Sequence, residues 1–197
     1  MWDERYSDAE YVYGTDPNDF LVEQADRLPQ GRVLCLAEGE GRNAVWLAQR
    51  GFAVTAVDSS AVGLEKARRL AAERSVSIET LCTDLDDYTL EPGQWAGVVS
   101  IFAHVPPDVR RTLHARVVQG LVPGGALILE AYTPHQLGYG TGGPSAAEMT
   151  MDLLRLEEEL AGLEFEFARE CEREVVEGKY HTGRGHVVQL VGRKPLA

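Results

Sequence analysis

Hydrophobic and polar residues follow two different patterns along the chain. Short, almost unbroken apolar runs occupy residues 33–37, 52–57, 97–102 and 126–131, as in strands that are buried on both faces of a sheet. Between these runs apolar residues recur at helical spacing, as they do within 44–48, and such spacing places them on one face of a helix. The alternation predicts strand–helix units, which build a parallel sheet covered by helices.

The pattern changes towards the C-terminus. From 164 to 175 glutamates alternate with apolar residues, which predicts a strand with one exposed face. A connection that begins at Glu177 and Gly178 leads to a last apolar strand at 186–193. Together with an alternating strand at 76–82, this predicts an α/β, Rossmann-like, doubly wound sheet of seven mostly parallel strands with an antiparallel C-terminal hairpin strand.

The length of the chain suits a single domain, 1–197. Within it we expect residues 1–30 to form an N-terminal cap or lid segment and a first helix, with Asp16 as the helix cap and Pro17 at its first position. The aromatic residues of this segment either pack on the core or cover a site. If they cover a site, the glycine-rich loop at 138–144 is expected to lie near them.

The amino-acid composition narrows the range of functions that the protein can have. The 31 acidic and 19 basic residues give a net charge of −12, which argues against nucleic acid as a partner and favours a small molecule. No apolar run approaches the roughly 20 residues that span a bilayer, and the N-terminus is too polar for a signal peptide. We therefore expect a cytoplasmic monomer or homodimer without membrane contact. Cys35, Cys82 and Cys171 lie far apart in strand-like runs, so they are expected to be buried apolar residues.

The first strand ends in a glycine turn. Gly39 and Gly41 separate it from a helical pattern, so the turn lies at the carboxyl end of a parallel strand, where ligands of open α/β sheets bind. Glycine allows a ligand to approach the backbone closely. We expect free backbone N–H groups there. Glu38 and Glu40 are either solvated turn charges or part of the site.

Three further residues follow the carboxyl ends of other predicted strands. Asp58 ends the second strand, and its carboxylate either accepts both hydroxyls of a ribose or, with Ser59, caps the next helix. Asp84 follows the third strand and either accepts a hydrogen bond from an exocyclic amine or serves as a plain turn residue. Phe102 ends the fourth strand, where its ring can flank a flat ligand ring.

These motifs carry a family resemblance. The segments 33–41, 57–60, 83–85 and 121–125, with the closing strand from Val187, resemble the ordered motifs of class I S-adenosylmethionine-dependent methyltransferases over nearly the whole chain. The segments 39–44 and 177–183 resemble, more narrowly, a small bacterial branch that includes tellurite-resistance and thiopurine methyltransferases.

The resemblance implies S-adenosylmethionine as the cofactor and assigns parts of it to particular residues. The turn residues Ala37, Glu38, Gly39, Gly41 and Asn43 would surround its methionine part, Asp58 and Ser59 its ribose, and Asp84, Leu85 and Phe102 its adenine. The chain also departs from the family pattern. Cys35 stands where an acidic residue is frequent, Ala37 where glycine is frequent, and Ala96 where an aspartate is common. Whether Glu38 replaces the carboxylate missing at Cys35 stays open.

The acceptor side depends mainly on histidines. The sulfonium of the implied cofactor is already activated, so methyl transfer chiefly requires alignment of acceptor, methyl group and sulfur. A soft sulfur, selenium or tellurium acceptor needs little base assistance, whereas an oxygen or nitrogen acceptor can require a base. His104 follows the fourth strand and is the candidate catalytic residue. With Tyr13, His135 and His181 it is also expected to contact the substrate, and the histidine spacing matches no metal signature.

The predicted function is methyl transfer to a small-molecule acceptor. Two alternatives remain open. An NAD-dependent oxidoreductase would use residues 39–44, which fit a loose Gly-x-Gly-x-x-Gly/Ala fingerprint. A non-catalytic cofactor-binding or scaffold protein on the same fold would use the glutamates of 164–174 as an interaction face.

Overall fold

The computed structural model describes residues 2–196, so Met1 and Ala197 at the ends of the expected domain lie outside the described residues. The helices are α1 (Trp2–Tyr6), α2 (Asp19–Gln24), α3 (Arg42–Gln49), α4 (Ala61–Glu73), α5 (Pro107–Gly120) and α6 (Leu153–Glu159). The strands are β1 (Arg32–Leu36), β2 (Ala53–Asp58), β3 (Glu79–Cys82), β4 (Trp95–Ile101), β5 (Leu121–Tyr132), β6 (Glu164–Glu177) and β7 (His181–Arg193). None of the described helices is both long and apolar enough to cross a membrane.

All seven strands form one sheet in the order β3-β2-β1-β4-β5-β7-β6. The pairs from β3 to β5 are parallel, whereas β7 runs antiparallel to both β5 and β6. The fold prediction is therefore confirmed. The strand order reverses direction between β1 and β4, and this switch point opens a crevice beyond the carboxyl ends of the strands.

Helices cover both faces of the sheet because its central strands are apolar on both sides. One core cluster includes Trp95, Leu127 and Leu190, together with Leu113 of α5 and Leu156 of α6. The cluster on the other face includes Phe20 of α2, Leu47 of α3 and Ile128 of β5. Burial on both faces explains why the sequence of these strands reads as continuous apolar runs.

Three strands start at least three residues away from their predicted starts. β3 starts only at Glu79, because the chain at Val76 still closes the end of α4 with a hydrogen bond to Ala71 O. β5 starts at Leu121, before the predicted sharp turn, and residues 122–125 are accommodated by a register shift against β4. β7 starts at His181, so the terminal hairpin is longer than the predicted 186–193.

Two local expectations are wrong. Asn18, not Asp16, caps α2: its side-chain oxygen accepts a hydrogen bond from Leu21 N at 2.9 Å, and Pro17 precedes the cap. Among the cysteines only Cys35 is buried, whereas Cys82 is exposed on the edge strand β3 and Cys171 is partly exposed. Edge strands have an open side, which explains why strand-like patterns there did not imply burial.

Candidate functional site

A cavity of about 1010 Å³ opens at the switch point. It is lined by most of the residues predicted for the site, namely Tyr13, Ala37, Glu38, Asn43, Asp58, Ser59, Asp84, Leu85, Phe102, His104 and His181. Gly39 and Gly41, which were also predicted for the site, lie in the same turn but do not line the cavity. The residues divide into a cofactor side, at the ends of β1, β2 and β3, and an acceptor side, at the ends of β4, β5 and the β6–β7 hairpin.

The glycine turn is more closed than predicted. The N–H of Glu38 donates to Val57 O at 3.1 Å, that of Gly39 to Asp58 Oδ2 at 2.8 Å, and that of Gly41 to Glu38 O at 3.2 Å. The expectation of free N–H groups is therefore wrong for these three residues. The physical reason is that the tight turn satisfies its own buried donors, as buried backbone groups generally require.

Close packing explains the two glycines. A Cβ at Gly39 would lie 2.5 Å from the Tyr6 hydroxyl, and one at Gly41 would lie 2.5 Å from Ala67 Cβ. Both glycines have positive φ, as does Ala37 with φ of 48°. Ala37 thus holds a left-handed conformation that favours glycine, at the position where the resembling family frequently has glycine.

Glu38 points inward, towards the start of α3. Its Oε1 accepts a hydrogen bond from Ala44 N at 2.7 Å. Burial raises the pKa of Glu38 to about 7, although the N–H groups of Ala44 and Asn43 oppose the shift. The side chain also lines the cavity, so it places a buried carboxyl group beside the turn and beneath the open space.

Asp58 is the second buried carboxylate on the cofactor side. Its oxygens accept hydrogen bonds from Gly39 N and Ser60 N, both at 2.8 Å. Helix α4 is capped by the Ser60 side chain, which accepts from Gly63 N at 3.0 Å, so capping does not occupy Asp58 or Ser59. A carboxylate has about four acceptor sites, and those not used by the backbone leave Asp58 able to hold a diol at the cavity wall. Burial raises its pKa.

Asp84 is exposed at the cavity mouth, where its Oδ1 accepts from Asp86 N at 3.0 Å. It is therefore a turn residue that also lines the cavity, and its hydrogen bond to an exocyclic amine stays a prediction. Leu85 beside it is buried and lines the same wall. This pair provides a polar edge next to an apolar surface, as a flat heterocycle requires.

The N-terminal segment, residues 2–14, lies over the cofactor side. Glu40 is buried and holds this segment from below: its Oε2 accepts from Val12 N at 2.8 Å and from Tyr13 N at 3.3 Å. The buried Lys66 donates to Glu40 Oε1 at 2.7 Å. Glu40 is thus not a solvated turn charge. The same segment reaches the hairpin, because Lys179 N donates to Val12 O at 2.7 Å.

The acceptor side is mainly aromatic. The ring of Phe102 stacks on Tyr132 with 4.5 Å between centroids, and the ring of His181 lies 5.0 Å from Phe102 and 4.7 Å from Tyr13. Phe102 has φ of 53°, an uncommon conformation for a bulky residue that is held here by surrounding structure. Trp2 and Arg5 of α1, with Tyr180 beside His181, close the outer wall.

His104 is fixed by both of its ring nitrogens. Nδ1 lies 2.9 Å from Met149 O, and Nε2 accepts from Tyr132 N at 3.2 Å. Because Nδ1 must then carry the proton, the ring is neutral, and burial lowers its pKa to about 4. These contacts argue against the predicted catalytic role as a base. His104 instead positions the ends of β4 and β5 while it lines the cavity.

His135 and His181 have different surroundings. His135 is exposed, outside the lining of the cavity, and its ring lies 4.9 Å from that of His186. Its prediction as a substrate contact is therefore wrong, since the chain after β5 turns away from the cavity in a 3₁₀ segment, Pro134–Gly138. His181 lines the cavity, as predicted. Between residues 2 and 196 no group of three or more metal-ligating side chains is placed to hold a metal ion.

A buried ionic network lies beneath the acceptor side, and sequence reasoning missed it. Asn18 Nδ2 donates to Glu130 at 2.6 Å and to Glu177 at 2.7 Å. Arg173 pairs with Glu130 at 2.6 Å, and Arg42 pairs with Glu177 at 2.6 Å. One signal was available: Glu130 is a charged residue inside the apolar run 126–131, and a buried charge needs a partner.

Comparisons with known proteins agree with this geometry. Residues 33–125, a little under half of the 197 residues, match the family model described as a methyltransferase domain. A 2-heptyl-1-hydroxyquinolin-4(1H)-one methyltransferase from Mycobacteroides abscessus is 27% identical over 112 residues, 55% of this chain and 48% of that protein. A carboxy-S-adenosyl-L-methionine synthase from Geobacter sp. (strain M21) is 33% identical over 86 residues, 42% of this chain and 35% of that protein. The chain thus spans less than half of the length of these curated relatives.

Solved structures extend the likeness to nearly the whole chain. A protein solved in work on the conversion of a disulfide bond into a thioacetal group during echinomycin biosynthesis gives a TM-score of 0.77 at 20% identity, covering 98% of this chain and 88% of that one. TehB from Haemophilus influenzae gives a TM-score of 0.74 at 16% identity, covering 98% of this chain and 65% of that one. The N-methyltransferase NodS from Bradyrhizobium japonicum, in complex with S-adenosyl-L-homocysteine, gives a TM-score of 0.70 at 16% identity. The match covers 98% of this chain and 96% of that one.

At such identities these structures establish the fold and do not select a branch, so the narrower resemblance to tellurite-resistance and thiopurine enzymes stays a prediction. The family match covers the segment that builds the turn, Asp58, Asp84 and Phe102. Residues 33–125 thus match the model of a methyltransferase domain, and the described chain shares its fold with solved structures that include the N-methyltransferase NodS.

Proposed function

We propose that this protein transfers the methyl group of S-adenosylmethionine to a small-molecule acceptor. The observation that carries the proposal is the pair of buried carboxyl groups, Glu38 and Asp58, on the two sides of the glycine turn. A ligand with an ammonium group and a ribose diol satisfies such acceptors. The names of the relatives, a methyltransferase and a carboxy-S-adenosyl-L-methionine synthase, support the same cofactor.

The same geometry disfavours NAD. A dinucleotide places its pyrophosphate on free N–H groups at a helix N-terminus, whereas Gly39 and Gly41 already donate within the protein. The carboxyl of Glu38 also occupies the start of α3, where it would repel a phosphate. Part of the acidic strand face suggested for a scaffold role is already ion-paired within the chain, Glu166 with Arg193 and Glu172 with Arg184.

The acceptor enters the aromatic compartment formed by Tyr13, Phe102 and His181. A soft sulfur, selenium or tellurium nucleophile is compatible with methyl transfer in this compartment, because alignment alone supplies much of the rate when the acceptor is already reactive. The N-terminal segment, residues 2–14, is a cover for both ligands in this proposal. Its contacts to Glu40, to Gly39 through Tyr6, and to the hairpin at Lys179 support this role.

Asp58 provides the test of the cofactor site. Wild-type protein should bind S-adenosylmethionine and S-adenosylhomocysteine with a rise in melting temperature, and NADH should give none. Asp58→Asn keeps the size of the side chain but removes a charged acceptor, and each hydrogen bond to a charged group contributes about 1.5–3 kcal/mol. We expect at least a tenfold weaker cofactor Kd by calorimetry and loss of the thermal shift in Asp58→Ala.

Asp86→Asn is the matched control, since Asp86 also lines the cavity but is exposed and only follows the Asp84 turn. Its cofactor Kd should stay within about threefold of wild type. Unchanged binding in both Asp58 variants would remove the ribose role from Asp58, and a thermal shift with NADH instead of S-adenosylhomocysteine would overturn the proposed function.

A further inference from the structure

The turn of the β6–β7 hairpin brings a histidine and a glutamate together at the wall of the acceptor compartment. His181 Nδ1 lies 3.8 Å from Glu177 Oε2, and the two side chains are only 14% and 4% exposed. Nδ1 is buried and makes no hydrogen bond at this distance with any described residue. A small approach of the two groups would close that bond. Because Nδ1 faces Glu177, Nε2 is the nitrogen left for a ligand.

Glu177 is held as a carboxylate. Arg42 donates to its Oε2 at 2.6 Å, and Asn18 donates to its Oε1 at 2.7 Å. Burial alone would raise the pKa of Glu177, but the contacts with His181 and Arg42 outweigh burial and lower the pKa to about 2. A fixed negative charge behind Nδ1 stabilises an imidazolium ring, as an orienting carboxylate does behind other catalytic histidines.

The ring of His181 is also fixed in orientation. It packs against Tyr13 at 4.7 Å, Phe102 at 5.0 Å and Tyr132 at 5.4 Å between centroids. Gly142, with φ of 123°, closes over it so tightly that a Cβ there would lie 3.1 Å from His181 Cδ2 and 2.3 Å from Tyr180 O. Flat apolar walls of this kind accommodate an aromatic acceptor.

Building on the proposed function, we propose that His181 is the general base, that Glu177 orients it, and that the acceptor is an aromatic hydroxyl or thiol. The acceptor oxygen or sulfur forms a bond to the methyl carbon while the carbon–sulfur bond of the sulfonium breaks, and that electron pair stays on sulfur. The acceptor proton moves to Nε2 of His181, and the resulting imidazolium later releases it to solvent. Atoms and charge balance without any further reactant.

The two histidines that line the cavity differ in whether a ring nitrogen is available to a ligand. His104 has both nitrogens engaged, whereas His181 has one open to the compartment. The titratable groups that face His181 are Tyr13 from the N-terminal segment, Tyr132 from β5, Glu177 from β6, and His104 after β4. Among them only Glu177 supplies a negative charge at neutral pH.

The test uses acceptors that differ in acidity. Ring-substituted phenols and thiophenols are chosen to run from protonated to ionised at the assay pH of 7.5. General bases contribute typically about 10²–10⁴-fold, so His181→Gln should lower kcat/KM at least 100-fold for protonated acceptors. The loss should be less than about threefold for ionised acceptors, which need no base. The cofactor Kd of the variant should equal that of wild type, which also verifies its folding.

A binding measurement gives a second readout without turnover. In the complex with S-adenosylhomocysteine, wild type should increase the ionised fraction of bound 4-nitrophenol, seen in its absorbance, and His181→Gln should not. His135→Gln is the matched control and should behave as wild type, because His135 lies outside the cavity. Equal losses with protonated and ionised acceptors, or no loss, would overturn the base role of His181. Absence of cofactor binding by wild type would instead overturn the proposed function and the inference that depends on it.

Discussion

The two sides of the cavity are built in different ways. The cofactor side consists of a turn at 37–43 and the ends of two further strands, at Asp58 and Asp84, which follow one another along the chain as β1, β2 and β3. The acceptor side consists of side chains from four separate parts of the chain, namely Tyr13, Phe102, Tyr132 and His181. Beneath it lies the buried ionic network of Asn18, Arg42, Glu130, Arg173 and Glu177.

Binding of the cofactor and choice of the acceptor therefore depend on different kinds of interaction. A turn at the end of a buried strand is held by local hydrogen bonds and by the sheet, so it tolerates change elsewhere. The acceptor side is held by ion pairs between segments that are distant in the sequence: Arg173 and Glu130 are 43 positions apart, and Arg42 and Glu177 are 135 apart. Removal of one charge from such a network affects several segments at once.

The largest effect should come from breaking that network at Glu177. Glu177→Gln leaves the guanidinium of Arg42 buried without its carboxylate, and breaking a buried pair in this way costs about 3–5 kcal/mol. We expect a loss of that size in the free energy of unfolding, measured by urea denaturation without ligand. In the folded fraction, kcat/KM should also depend more steeply on acceptor acidity, since His181 loses its orienting charge.

Glu174→Gln is the control for this variant. Glu174 lies on the same strand but is exposed, so its free energy of unfolding should change by less than about 0.5 kcal/mol. If Glu177→Gln were as stable as Glu174→Gln, the buried ion pairs would not stabilise the acceptor side, and the proposed difference between the two sides of the cavity would be wrong.

The second-largest expected effect is on the pH dependence of the free energy of unfolding, through His104. Its folded pKa of about 4 lies below the ordinary value of 6.5, so the unfolded chain binds the proton more readily between these values. The stabilisation is complete above pH 6.5 and is lost as pH falls towards 4. Wild type should therefore lose about 3 kcal/mol more than His104→Gln over this window, since one pKa unit corresponds to about 1.36 kcal/mol.

Urea titrations at several pH values measure this difference, with His135→Gln as the exposed histidine control. Parallel pH profiles for wild type and His104→Gln would mean that His104 is not held neutral by its two hydrogen bonds. The acceptor side would then rest less on fixed polar contacts than the structure indicates.

The smallest effect lies on the cofactor side, at Ala37. Ala37→Gly relieves the positive φ, which costs an L-residue about 1–2 kcal/mol, but it adds flexibility to the unfolded chain worth about 0.5–1 kcal/mol. We expect a net gain of about 0.5–1 kcal/mol in the free energy of unfolding. The same substitution at Ala115, exposed within α5, should cost about 1 kcal/mol. Destabilisation in both variants would show that Ala37 is not strained.

The sequence allowed much of the cofactor side to be predicted. The turn and the ends of β2 and β4 follow short apolar runs, and Asp84 follows the alternating strand, so their position at one edge of the sheet follows from the parallel arrangement of these strands. The hydrogen bonds of the turn were not predictable, because they depend on how Asp58 and Glu38 fold back on the backbone. Of the histidines predicted for the acceptor side, His104 and His181 line the cavity, whereas His135 lies outside it.

The amino-acid sequence is enough to define the alternation of strands and helices, the antiparallel ending and the residues at the strand ends. These features depend on periodicity and on turn chemistry, both of which are local. The burial of Glu38, Glu40 and Glu177 becomes visible only in the folded chain, as do the two hydrogen bonds of the His104 ring and the position of His181 opposite Glu177. Such properties depend on contacts between distant segments, since burial and hydrogen-bond partners, and with them pKa values, exist only once those segments have packed together.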